Sequence, residues 1–377
     1  MALRTSKPAF NLREKVSELD RPVGSHGSQV MKSDNVGETF DLIQAGRRNT
    51  IINGCMRFNQ RGESSYDGTE CTLDRWKYHR STDGEFDIKQ STEAPSGFSH
   101  SLHVDCKVAS ATVTSNAYAR LRYHIEGNDC RRFGKGTQTP KNFCLSFYAK
   151  SNVLGTYATN LQDHNSKIIT RTYTVTDDKW NRYTIVFPNS TANPITTTNT
   201  TGLEIQFMFI AGLNQTGGDA RHWGAWAANK QGDGHTVNLY SSTSNNFYLT
   251  GVQLEPGNQP TPFEYRSYAE ELALCQRYYM KRNLYGNCST GFSQSGGGYN
   301  SHLMNIPLPV KMRTTPTVTF DNGTVSSAFQ PGGDTANFGS FANGPDFVSV
   351  TTGSTNSTWT TQVVSSSAPN INLSAEL

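Results

Sequence analysis

The sequence predicts a mainly β protein. A short helical N-terminal anchor precedes a central antiparallel β-sandwich of the jelly-roll kind, and a linker helix leads to a small C-terminal β-domain. Three observations carry this. Apolar and polar residues alternate with period two through many segments between residues 49 and 264, the pattern of strands with one face in a core. Gly, Asn, Asp and Pro separate these segments at turn positions. The helix signals concentrate in the first 48 residues and in one stretch after residue 266.

Residues 1–48 form the first region. "NLREKVSELD" places Leu12, Val16 and Leu19 on one helical face. "NVGETFDLIQAG" offers Asn35 as N-cap, Glu38 three residues later and Gly46 as stop, with Phe40 and Ile43 as its apolar residues. Neither helix is long enough to be stable alone. Both must dock, which makes these five apolar residues the candidate docking surface.

Residues 49–265 form the second region. "YARLRYHIEG" sets Ala119, Leu121, Tyr123 and Ile125 against Arg120, Arg122, His124 and Glu126. "HSLHVDCKV" places Leu102, Val104, Cys106 and Val108 inward, and "FCLSFYAKS" Phe143, Leu145 and Phe147. Tyr183, Ile185 and Phe187 follow in "NRYTIVFP", and Leu203, Ile205, Phe207 and Phe209 in "LEIQFMFIAG". Roughly ten such strands in one domain require two packed sheets. Trp76 and Trp180, at strand starts, are expected in the core. The last strand, "NNFYLTGVQLEPG", puts Phe247 and Leu249 on one face and Val252 and Leu254 on the other. Pro256, Pro260 and Pro262 then force an extended corner, with Phe263 and Tyr265 folding back onto the sandwich.

Residues 266–283 read as the connecting helix. Ser267 caps it, Glu270 completes a capping box, and Tyr268, Leu272, Cys275 and Tyr279 make one stripe for a neighbouring domain or a threefold axis. Residues 284–377 form the last region. "GFSQSGGGYN" reads as a hairpin turn and "HLMNIPLPVKMRTTPTVTF" as two strands around a turn. Gly, Ser, Thr and Asn dominate beyond it, so this β-domain has a thin core that neighbouring copies would complete.

Composition excludes several functions. Of the 377 residues 17% are charged, with a net charge of +3 and no polybasic block. That gives no argument for nucleic acid or a membrane surface. No apolar run approaches the ~20 residues of a membrane helix, and "MALRTSKPAFNLREKV" lacks the apolar core of a secretory signal. The seven cysteines are irregularly spaced without CxxC, which argues for buried free thiols over zinc or disulfides. The seven Asn-x-Ser/Thr sequons then reflect an Asn/Thr-rich sequence.

No nucleophile elbow, His-Glu-x-x-His, P-loop or dinucleotide fingerprint occurs. An enzyme is not expected. Glu126 and Asp129 read as turn residues more readily than as a glycosidase pair. His103 and Asp105 share a strand face as two solvated side chains, so no metal or other cofactor is assigned. A structural Ca²⁺ suits a jelly roll, without an identifiable ligand set. "DARHWGAWAANKQGDGH" sets His222, Trp223 and Trp226 in a loop beside Arg221. That is either a stacking platform for sugar rings or a plug at one end of the sandwich.

Three stretches resemble one group of proteins. The N-terminal "NLREKVSELDRPVGSHGSQVMKSDNVGETFDLIQAGRRN" resembles a segment shared by virion structural proteins of marine tailed phages, notably those infecting cyanobacteria. "INGCMRFNQRG", "LDRW", "LSFYAKS" and "GVQLEPGNQPTPFEYRSYAEELALCQRYY" are similar to a β-sandwich module of phage tail-fibre-like proteins, itself similar to carbohydrate-binding jelly rolls. "LPVKMRTTPTVTF" and "LSAEL" resemble the C-terminal β-domain that often follows. The resemblance implies a virion appendage, a tail fibre or head fibre, assembled in the host cytoplasm and anchored by its N-terminus. A homotrimer and host-surface polysaccharide are the implied partners beside other virion proteins. The alternative is a purely structural tail, connector-associated or capsid-decorating component. No catalytic residue is implied.

Overall fold

The computed structural model describes residues 47–62, 72–81, 84–283, 291–292, 300–320, 337–343, 347–354 and 370–377. The chain divides into two compact units, Met1–Arg48 and Asn49–Leu377. Leu12, Val16, Leu19, Phe40 and Ile43 lie outside the described residues.

The second unit is built on an antiparallel sandwich. Its strands are β1 (Trp76–Arg80), β2 (Glu85–Ser91), β3 (Ser101–Val108), β4 (Tyr118–Glu126), β5 (Phe143–Ser151), β6 (Gly155–Asp163), β7 (Lys167–Val175), β8 (Asn181–Phe187), β9 (Thr201–Ala211), β10 (Gly224–Ala225) and β11 (Asn246–Pro256). A six-stranded sheet runs β1-β4-β9-β6-β7-β10, and a five-stranded sheet runs β2-β3-β11-β5-β8. Their inner faces supply a single core, with Trp76, Tyr123, Phe207 and Phe147 in ring contact across it. Each such side chain contributes ~1.5–3 kcal/mol on burial. The predicted inward residues of β4, β5 and β9 are all in this core. Val108 is not; it is exposed at the end of β3. Trp180 is also not core: it is half-buried, 6.1 Å from Tyr248.

The alternation of β11 breaks at Gly251. Phe247, Leu249, Val252 and Leu254 all enter the core, because the register with β5 shifts between Thr250 and Gln253. Gly251 takes φ +60 there, and a Cβ would lie 2.7 Å from Phe98 and 2.9 Å from Tyr148. Only glycine meets both conditions without strain. The outward Gln253 and Glu255 of β11 then bind the returning segment: Thr261 N–H donates to Glu255 Oε1 (2.8 Å) and Glu264 N–H to Gln253 Oε1 (2.9 Å).

Two short helices accompany these strands: α1 (Ala228–Gln231) between β10 and β11, and α2 (Tyr268–Gln276) after β11. The Ser267 hydroxyl accepts from Glu270 N–H, as the capping signal predicts. The helix stops at Gln276, shorter than the predicted 266–283, because Tyr279 begins the next strand, β12 (Tyr279–Asn283). The predicted stripe is therefore divided. Cys275 and part-buried Leu272 pack with Ile52, Phe58 and Tyr278; Tyr268 is exposed, and Tyr279 is a strand residue.

The remaining strands are β13 (Gly291–Phe292), β14 (Asn300–Pro307), β15 (Thr317–Phe320), β16 (Asn337–Asn343), β17 (Phe347–Ser354) and β18 (Asn370–Ser374). One sheet runs β12-β18-β15 and another β13-β14-β17-β16. The predicted pair around residues 308–316 thus separates: β14 joins β13 and β17, while β15 joins β18. The described core here is thin, formed by Met280, Met312, Ile371, Leu373 and Ala375. A polar latch fastens it to the sandwich. Glu376 is held by Arg75 (2.7 Å) and Arg61 (3.3 Å), Arg75 lies 3.4 Å over the Tyr278 ring, and Arg313 donates to Ala375 O (2.7 Å).

Candidate functional site

The tryptophan loop divides into inner and outer residues. Trp223 is half-buried and packs against the sandwich core. Its indole N–H donates to Pro188 O (2.7 Å), and the Lys135 ammonium lies 4.5 Å over its ring. Lys135 is itself fully buried in an ion pair with Asp163 (2.7 Å), so Trp223 covers a structural pair. Trp226 is exposed, and its backbone N–H is tied to Ser166 O. Arg221 is exposed and turned back onto Asp219 (3.0 Å), and His222 is exposed beside it. Of these four residues, Trp223 is turned into the sandwich, while Arg221, His222 and Trp226 are exposed. Of the two tryptophans, only Trp226 is exposed, at 44%.

A more ordered aromatic surface lies where the returning segment meets residues 49–58. Phe98, Phe263 and Tyr265 form a mutual cluster with ring centroids 5.0–5.6 Å apart, and Tyr148 joins it at 5.3 Å from Phe98. The Tyr265 hydroxyl donates to Gly97 O (3.1 Å), yet 61% of the residue remains exposed. The other wall is Phe58 with the exposed Arg57; Tyr268, 54% exposed and outside the cleft's lining, lies 4.9 Å from Phe58 with the Arg57 guanidinium 4.7 Å over its ring. Between these walls lies a shallow cleft lined by Cys55, Arg57, Phe58, Phe263 and Tyr265.

The base of the cleft is rigid. Arg266 is buried, pairing with Glu271 (3.1 Å) and Glu264 (3.3 Å) and donating to Ile51 O (3.0 Å). Asn49 N–H donates to Glu264 Oε2 (2.8 Å), and the Asn53 N–H to Glu271. These bonds fix the position of both tyrosines, because Tyr265 and Tyr268 flank Arg266 in the chain. Burial, with the Glu271 carboxylate nearby, pushes the Cys55 thiol up, so it stays protonated at neutral pH and is no nucleophile. Two fixed tyrosine faces and an exposed guanidinium suit a hydroxyl-rich ligand: C–H faces stack on the rings, and Arg57 donates to its oxygens.

The carboxylates that might serve catalysis are engaged elsewhere. Glu126 accepts from Arg277 through Nε and Nη2 (2.9 Å each) and from the Tyr278 hydroxyl (2.6 Å). It is an anchor for the chain after α2, not a free acid or base. Burial raises Asp74 to about 6, but it lies beneath Gln60 and Arg61, which bind both its oxygens. His103 is buried, stacks 4.2 Å from Tyr248 and bonds Asn246 (2.5 Å), so it is not the solvated side chain predicted. Asp105 pairs with Lys89 (2.8 Å). Among the described residues no three His, Cys, Asp or Glu side chains gather as metal ligands. Cys106, Cys130, Cys144 and Cys275 are buried free thiols. No described helix is long and apolar enough to cross a membrane.

No family profile matches the chain, and no curated protein matches it. Solved structures match parts of it at low similarity. A bacteriophage CBA120 tailspike protein 4 enzymatically active domain has a TM-score of 0.30 and 14% identity, over 55% of this chain and 21% of that one. The chain thus spans about a fifth of that tailspike's length. A family 11 carbohydrate-binding module from a Clostridium thermocellum cellulosomal cellulase gives a TM-score of 0.26 and 16% identity, over 53% of this chain and 98% of the module. A cyclase from Fischerella sp. TAU gives 0.33 and 10%, over 56% and 99%. At these scores none of the three assigns a family or an activity, and the chain stands as a mainly β protein built on an antiparallel β-sandwich.

Proposed function

We propose that this chain is a phage virion appendage protein, of the tail-fibre or head-fibre kind. Residues 1–48 attach it to the particle, the sandwich binds host-surface glycan, and the working form is a homotrimer. The observation that carries the glycan reading is the pair of exposed tyrosines, Tyr265 in the cleft and Tyr268 beside it under the Arg57 guanidinium. The virion reading rests on the resemblance of the three sequence stretches. The thin described core around Met280, Met312 and Leu373 suits a protein that packs against copies of itself. The role is binding without catalysis, because Glu126 and Asp74 are committed to structural partners.

Purified full-length protein should bind cells of the bacterium the phage infects and block phage adsorption. Binding that survives removal of the surface polysaccharide would contradict the glycan reading. Deleting residues 1–48 should abolish incorporation into particles while leaving cell binding intact. A second reading, a purely structural virion component, has one observation in its favour: Tyr265 and Tyr268 are the kind of exposed rings that a subunit contact buries. In that case the protein binds no cells, and Tyr268→Ala weakens the oligomer.

A further inference from the structure

Residues 49–62 form a strap that joins the tyrosine cleft to the C-terminal sheet. Toward the cleft, Cys55, Arg57 and Phe58 supply part of its lining. Toward the sheet, Gln60 Nε2 donates to Tyr279 O (2.9 Å), and Arg61 lies 3.9 Å over the Tyr279 ring and 3.3 Å from Glu376. A buried polar web fixes the strap between these ends. Asn53 Nδ2 donates to Phe58 O (2.9 Å) and to Asp74 O (3.0 Å), and Asn53 Oδ1 accepts from the Phe58 N–H (3.0 Å). The Asn53 N–H goes to Glu271. One asparagine thus ties Phe58 and Glu271 of the cleft to the turn before β1.

The web holds backbone strain. Among the described residues five non-glycine residues have positive φ, and three of them lie in the strap or in that turn: Asn53 (56°), Met56 (57°) and Arg75 (74°). Asparagine tolerates this region, whereas methionine and arginine rarely enter it. Arg75 is held there by distant groups. It is buried, its guanidinium bonds Glu376 (2.7 Å) and His124 O (2.5 Å), and it lies 3.4 Å over the Tyr278 ring. Glu376 follows β18, which is paired on both sides, with β12 and with β15. Next to it, Leu377 packs on the cluster of Ile52, Phe58, Cys275 and Tyr278, and its carbonyl accepts from Lys77. Two routes therefore run from residues 376 and 377 to Phe58, one polar and one apolar.

We propose that residues 370–377 regulate the tyrosine cleft: docked, they hold the strap and Phe58 in the binding arrangement, and released, they leave that wall loose, with the ligand itself resting on the glycan reading of the cleft. Release takes the carboxylate from a buried guanidinium, which is costly. That cost and the strain at positive φ both favour a second arrangement, in which Arg75 turns toward water. Asp74 O then leaves Asn53, and the clamp on Phe58 weakens. These two arrangements couple the sites. By linkage, glycan in the cleft favours the docked strand as much as the docked strand favours glycan. Binding is strongest in chains whose C-terminal sheet is assembled.

The test uses the full chain, Glu376→Gln and Glu376→Gln/Leu377→Ala. Backbone hydrogen exchange is measured first without ligand. Residues 51–58 should exchange at least fivefold faster in Glu376→Gln and faster again in the double variant, while β5 and β9 exchange as in the wild type. Host-surface polysaccharide fragments are then titrated by calorimetry, and Kd should rise at least fivefold in Glu376→Gln. In the wild type, saturating ligand should slow exchange of residues 371–375, which lie outside the cleft's lining. A merely structural Glu376 would not produce that protection, and it does not depend on how the variants fold. If the wild type binds no fragment, the glycan reading falls, and the ligand-free exchange alone decides the coupling. Unchanged exchange at residues 51–58 in both variants, equal Kd in wild type and variants, or bound ligand without effect on residues 371–375 overturns the inference.

Discussion

On the five-stranded sheet the outer face is aromatic. Phe98, Tyr148, Phe263 and Tyr265 cover one another, and His103 stacks on Tyr248. On the six-stranded sheet the same positions carry Arg120, Arg122, Glu204, Gln206 and Asn160, joined by hydrogen bonds. Both faces come from strands whose inward residues fill one core, although β11 of the five-stranded sheet breaks its alternation at Gly251. The difference teaches that the inward residues set the fold, while the outward ones decide what each face can bind. One face offers rings to stack on, and the other a hydrogen-bonded network of charged and amide side chains.

The aromatic face depends on one backbone position, which gives the largest expected effect. Gly251→Val places a Cβ against Phe98 and Tyr148 at a positive φ. Strain and overpacking should together cost about 4 kcal/mol, read as a lower urea midpoint. A loss below 1 kcal/mol would mean that the bulge is not required. On the polar face, Glu204→Gln should cost about 3 kcal/mol, because it leaves Arg122 and buried Arg120 without a carboxylate. The tryptophans should differ in kind. Trp223→Ala should cost about 2 kcal/mol through lost packing on Phe143 and Lys135, whereas Trp226→Ala should stay within about 0.5 kcal/mol.

Acid should separate the faces further. Burial holds His79 and His124 of the polar face, and His235 beside it, at about 4. In the unfolded chain a histidine titrates near ~6.5. Between those values the unfolded chain binds more protons, so stability is full above the unfolded value and falls as pH drops toward 4. Asp74, raised to about 6 by burial, has the opposite sign and offsets one of the three. The urea midpoint should therefore be lower at pH 5 than at pH 7. An equal or higher midpoint at pH 5 would contradict neutral, buried histidines.

The sequence made the core legible and the surfaces much less so. Ala119, Leu121, Tyr123 and Ile125 announce their burial through period two, and all four are in the core. Ser267 announces the helix start. The bulge at Gly251 is hidden because Phe247, Leu249, Val252 and Leu254 look the same whether they share a face or not. The helix end is hidden because nothing local stops it: β12 forms by pairing with β18, about ninety residues later in the chain. The tyrosine cleft was missed for a related reason. Phe263 and Tyr265 were readable as folding back, but their exposure depends on Arg266 and Glu271 fastening residues 49–53 behind them. The signal available was the density of "PFEYRSYAEE", with three aromatics around one arginine. A tryptophan loop draws attention first, and here half of it is structural.

The central claim is that glycan binds at the tyrosine cleft. The direct measurement is a calorimetric titration of host-surface polysaccharide fragments against the full chain, the Tyr265→Ala/Tyr268→Ala double variant and Trp226→Ala. Loss of two stacking faces should raise Kd at least tenfold, about 1.4 kcal/mol, in the double variant at unchanged thermal stability, while Trp226→Ala binds as the wild type does. Undiminished binding by the double variant, or its loss in Trp226→Ala alone, would contradict the account.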